Sequence, residues 1–86
     1  MDREIKVILL TNSERLISEI EEVAAIDIGQ PDCKLIKPME IWEGLNLAPW
    51  MMDHTKQDIF KISSDKIITL AEPMPTLLEK YIDLTK

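Results

Sequence analysis

The sequence predicts a mainly β domain: a small, strongly bent, barrel-like antiparallel sheet followed by a C-terminal helix. Three features carry this reading. Residues 58–73 place two short apolar runs around a polar tetrapeptide, Ser63-Ser64-Asp65-Lys66, and read as a closing hairpin. A second hairpin opens the chain, with an apolar run from Ile5 to Leu10, a turn at Thr11-Asn12-Ser13-Glu14, and a partly alternating run from Arg15. At 86 residues the chain makes one small domain with a thin core, so a compact curved sheet suits it. In such sheets the turn residues often line a ligand site.

Taken in order, the first strand is expected over residues 5–10, where only Lys6 interrupts an apolar run suited to burial on most of both faces. Asn12 tolerates the left-handed conformation and supports the turn that follows. The second strand is expected over 15–23. Its two faces both mix apolar and polar residues, so it is read as bending and swapping faces partway. Residues 24–32 contain Gly29 and Pro31 and read as a loop. The third strand is expected over 33–42, with Pro38 ending or bulging it. Residues 44–56 read as irregular. The fourth and fifth strands are expected over 57–62 and 66–71. A helix follows over 76–84, from the stripe of Leu77, Leu78, Tyr81, Ile82 and Leu84 and a capping box of Thr76 with Glu79. The whole of residues 1–86 is taken as a single domain.

Composition narrows the function classes. A single cysteine allows no intrachain disulfide, and a cytoplasmic, reducing setting is the default expectation. No apolar run is long enough to span a membrane, and the first residues lack the apolar core of a signal peptide. The formal net charge of −6 argues against a non-specific nucleic-acid binder. That charge is uneven: Glu14, Glu19, Glu21 and Glu22 crowd the first half, and most lysines lie beyond residue 33. A thin core without disulfide or metal points to oligomerisation as a source of stability.

The chemistry-bearing residues give no support for an enzyme. His54 is the one histidine, with no partner at metal-ligand spacing, and is read as a surface loop residue. Cys33 sits in an expected strand with no local base and is read as a small buried hydrophobe. Two glycines leave little capacity for phosphate-cradling loops, and no cofactor is expected. Trp42, Trp50, Met51 and Met52 allow a contact surface, but are expected to lid the open end of the barrel.

The segment Ile62-Ser63-Ser64-Asp65-Lys66-Ile67-Ile68-Thr69-Leu70-Ala71-Glu72-Pro73 resembles the second motif of Sm and Sm-like proteins, an apolar strand, a short polar turn and a second apolar strand followed by Glu-Pro. Lys6 to Glu14 is similar to the first strand and turn of the family's first motif. Leu16 to Val23 resembles its long bent strand, and Cys33 to Ile41 its third. The resemblance covers residues 5–73 and is nearest to divergent Sm-like proteins of marine cyanobacterial phages.

The resemblance implies a five-stranded bent barrel that forms homo-oligomeric rings of about five to seven subunits, closed by edge pairing of the last two strands. The implied interface residues are Ile59, Phe60, Ile62, Ile67, Ile68 and Leu70. The implied RNA-binding residues are Ser63, Ser64, Asp65 and Lys66 with Asp32 and Cys33, a collar able to hold single-stranded RNA. The implied setting is the host cytoplasm, for a phage-encoded protein. The alternative is an Sm-fold scaffold or protein-interaction adaptor without RNA binding. The chain departs from the family where Ser13 and Ser18 stand at usual glycine positions and where Ser63-Ser64 replaces Arg-Gly. Gly29 and Asp32 or Cys33 match the family's RNA-contacting Asp and Asn only loosely. The family's N-terminal helix is missing, and the C-terminal helix is expected to cap the barrel in its place.

Overall fold

Three strands in sequence form an antiparallel meander: β1 (Ile5–Leu10), β2 (Arg15–Glu22) and β3 (Cys33–Ile41). The structure, a computed structural model, describes residues 3–24 and 31–86. β1 and β2 pair through Ile5–Glu19 to Leu9–Arg15 across a turn in which the Ser13 N–H donates to the Leu10 carbonyl at 2.9 Å. Ser13 takes φ 71°, the left-handed conformation that glycine adopts most cheaply.

The bend between β2 and β3 is a β-bulge. Ile17 pairs with Met39 and Glu19 with Ile36, so Ser18 faces both Lys37 and Pro38. Pro38 has no N–H to give a ladder, and Lys37 takes φ 53° to accommodate the extra residue. Leu16, Ile17 and Ser18 are consecutively buried, as a strand changing faces requires. The polar groups freed by the bulge are satisfied from two sides. Ser18 Oγ lies 2.8 Å from the Glu19 carbonyl and 3.1 Å from that of Ile36. The Tyr81 hydroxyl accepts from the Glu19 N–H and faces the Ile36 and Lys37 carbonyls, each at 3.0 Å.

β4 (Leu47–Pro49) and β5 (Ile59–Ile62) share the other side of β3, pairing with Met39–Ile41 and Cys33–Ile36 respectively. A 3-10 turn, Ser64–Lys66, leads to β6 (Ile67–Ala71), which pairs with β1. The expected closing hairpin is therefore not formed: β5 and β6 do not pair with each other. β1 and β3 run in the same sense because β2 lies between them. β5 and β6, antiparallel to β3 and β1, also share a sense, and a tight turn cannot pair two such strands as a hairpin. The turn instead bridges the two margins of the sheet. Ile62 and Ile67 are at most about 17 Å apart along the chain, whereas four flat inter-strand spacings would separate β5 from β6 by about 19 Å. The sheet must curl.

It is nevertheless not closed into the expected five-stranded barrel. Among the described residues it has six strands, one of them in the segment read as irregular. The C-terminal helix, α1 (Pro75–Leu84), starts with Pro at its first turn. The expected capping box is absent: Met74 is the N-cap, without a side-chain cap. Proline presets the helical φ and lacks an N–H that would need capping.

β1 alternates between two apolar clusters. Ile5 joins Ile17, Met39, Leu77 and Tyr81 under α1. Ile8 and Leu10 join Leu16 and Leu35 on the other face, with Trp50, Ile62 and Ile67 packed against them. Helix α1 thus covers one face of the sheet through Leu77 and Tyr81, with Leu78 half-buried beside them; Ile82 and Leu84 of the expected stripe are exposed instead.

Candidate functional site

The curl brings the turn after β5 to the loop before β3. The Asp32 carboxylate accepts the Ser64 N–H at 2.6 Å and the Ser64 hydroxyl at 2.7 Å. The Asp32 N–H donates in turn to the Ile62 carbonyl at 3.2 Å, and the Thr11 N–H to that of Lys66 at 2.9 Å. The Ser64 hydroxyl and then its N–H hold the Asp32 carboxyl below the usual carboxylate range. Of the residues expected around RNA, Asp32, Ser63, Ser64, Asp65 and Lys66 therefore converge on one rim. Ser64, Asp65 and Lys66 are exposed. Cys33 adjoins them, but its side chain is buried, and burial first, then the Asp32 charge, pushes its thiol up. It is a poor nucleophile. Gly29 lies outside the described residues.

Beside this rim runs a groove of about 800 Å³. Ile67, Ile68 and Leu70 of β6 form one side, and Ile20, Glu21 and Glu22 of β2 face them. Lys6, which also lines it, hydrogen-bonds to Glu72, and this bond raises the Lys6 pKa above its ordinary value. The groove offers apolar surface with acidic walls.

The residues expected at a subunit interface divide into two sets. Ile59, Ile68 and Leu70 are exposed, at 45%, 60% and 46%. Ile62 and Ile67 pack inward on the second core cluster, and Phe60 meets Trp50 edge-on at 5.2 Å. Ile68 is the extra residue of a second bulge, since Leu9 pairs with Thr69 and Leu10 with Ile67. Among the described residues, the outer edges of β5 and β6 carry no strand partner.

The expected lid is only partly one. Trp50 alone turns inward, and its indole N–H donates to Glu14 Oε2 at 2.9 Å. Trp42, Met51 and Met52 stand out from the surface. The hydrogen bond from Trp50 to Glu14 was not legible in the sequence, because the two residues are far apart along the chain.

Among the described residues no group of three or more His, Cys, Asp or Glu side chains is placed to hold a metal ion, and His54 is exposed in a turn. No described helix is long and apolar enough to cross a membrane.

Fold and site together define a small antiparallel β protein, capped by one helix, with two apolar sheet margins joined by a polar turn. The chain belongs to the Family of unknown function (DUF6561), whose model matches residues 3–86. No curated protein matches it.

Proposed function

We propose that the chain is an Sm-like subunit that assembles into a homo-oligomeric ring through β5 and β6, and that the rim at Ser63–Lys66 contacts single-stranded RNA. The observation that carries this is the pairing of β5 and β6 with opposite margins of one sheet. Among the described residues each has a strand partner on one side only, with Ile59, Ile68 and Leu70 exposed along them. Edges of this kind need covering. A β5 edge meeting the β6 edge of another copy is a heterologous contact, which closes into a ring when the rotation per subunit divides the circle. One Lys66 per chain is a weak cation site; a ring multiplies it about five- to sevenfold.

A second reading, a ring that serves as a protein adaptor without RNA, draws support from Asp32. Its carboxylate already occupies the Ser64 donors that RNA would use, and Glu21 and Glu22 wall the adjoining groove. Light scattering tests the common premise. A multimer is expected, broken by Leu70→Lys; a wild-type monomer at micromolar concentration would overturn both readings. Anisotropy with labelled oligo-U and oligo-A at two salt concentrations separates them. RNA binding predicts a saturable signal weakened by salt and by Lys66→Ala. No saturable signal at low salt leaves the adaptor.

A further inference from the structure

We infer that the face carrying Trp42, Met51 and Met52 is a docking site for a basic polypeptide segment with apolar anchors. Trp42 and Met52 are 57% and 58% exposed, and Met51 is 42% exposed. They line one concavity of about 440 Å³ floored by Trp50. The display is built rather than slack. Met51 takes φ 60°, a conformation costly for a side chain of its size, and its carbonyl accepts the N–H groups of His54 at 2.9 Å and Thr55 at 3.1 Å. Trp50, immediately before it, is anchored by its own N–H to the Pro38 carbonyl at 3.0 Å. A turn pinned on both sides thus holds two methionines outward beside a tryptophan. Flexible methionine adapts to varied apolar side chains, and tryptophan is a frequent anchor at interfaces.

Charge selects the partner. Glu14, Glu40 and Asp53 border the same concavity, and Glu43 borders the one adjoining it. The basic side chains there are Arg15 and His54. Four carboxylates around an apolar centre attract lysine and arginine and repel phosphates, so the occupant is a polypeptide and not a nucleic acid. Neither Asp32 nor any of Ser63–Lys66 lines this concavity, so the two contacts use different side chains.

The probe is a labelled amphipathic Lys/Leu peptide of about fifteen residues, compared with the same peptide carrying Glu for Lys. Saturable binding of the basic peptide, weakened by salt, is expected, with little binding of the acidic one. Trp42→Ser combined with Met52→Ser should weaken it about tenfold or more. Glu40→Gln combined with Asp53→Asn should weaken it and flatten its salt dependence. Both pairs alter exposed or half-buried side chains, and circular dichroism checks the fold. Lys66→Ala should leave peptide binding unchanged, which keeps this test separate from that of RNA. Equal binding of both peptides would overturn the inference, as would binding that survives both variant pairs. So would a fall in particle mass caused by Trp42→Ser without peptide, since a second copy would then be the occupant.

Discussion

Replacing Tyr81 by Phe removes one oxygen from the centre of the molecule while keeping the ring that packs under α1. That oxygen accepts the Glu19 N–H and lies 3.0 Å from the carbonyls of both Ile36 and Lys37. These groups, in partly buried surroundings, turn to the hydroxyl because the bulge at Lys37–Pro38 interrupts the ladder opposite Ser18. In Tyr81→Phe the Ile36 carbonyl keeps Ser18 Oγ at 3.1 Å. The Glu19 N–H and the Lys37 carbonyl lose the hydroxyl. Each unsatisfied buried group costs about 1–3 kcal/mol, and these two are only partly buried, so a loss in the lower part of the summed range, about 2–4 kcal/mol, is expected. In a domain of this size that lowers Tm by roughly 10–20 °C. Urea unfolding followed by far-UV circular dichroism measures it. Ser18→Ala on the same background should show coupling, because Ser18 and Tyr81 share the Ile36 carbonyl. A loss below about 0.5 kcal/mol for Tyr81→Phe, the size of an ordinary surface substitution, would refute the claim that the hydroxyl sustains the bulge.

Two further outcomes follow from local geometry. Ser13→Gly should stabilise the protein by about 0.5–1 kcal/mol in urea unfolding, since φ 71° suits glycine and the N–H to Leu10 is retained; a destabilised variant would contradict the strain argument. The Asp32 clamp on Ser64 should fail in acid. A carboxyl whose folded pKa is depressed contributes stability that is present above its unfolded pKa, about 3.9, and lost as pH falls through the lower folded value. The Asp32 carboxyl carbon, followed by NMR, should titrate below about 3.9, and Asp32→Ala should speed exchange of the Ser64 amide. A midpoint at or above the ordinary value would disprove the clamp.

Much of the local structure could be read from residue type. Pro38 announced an interruption in β3, and the mixed faces of residues 15–23 announced a bend; both are the one bulge at Ser18, Lys37 and Pro38. The stripe of Leu77, Leu78, Tyr81, Ile82 and Leu84 announced α1, yet only Leu77 and Tyr81 of it are buried, while Ile82 and Leu84 stand exposed. Adjacency along the chain misled where it was taken for pairing. Ile59–Ile62 and Ile67–Ala71 look like a hairpin because a short polar turn joins them, yet their partners are β3 and β1. The tryptophans look like a pair in the sequence, although only Trp50 turns inward to a half-buried acceptor, Glu14.

The sequence by itself determined a mainly β chain with antiparallel strands and a C-terminal helix, because alternation, turn chemistry and helical spacing act between near neighbours. Only the tertiary structure decided that the two final strands lie at opposite margins of an open, curled sheet. It also decided that Asp32 holds Ser64, and that Tyr81 reaches into the bulge. Those contacts join residues far apart in the chain. The first exists because an odd run of alternating strands ends with both margins pointing the same way, which forbids the local pairing that spacing alone invites; the second exists because α1 packs its Tyr81 onto the face where the bulge lies.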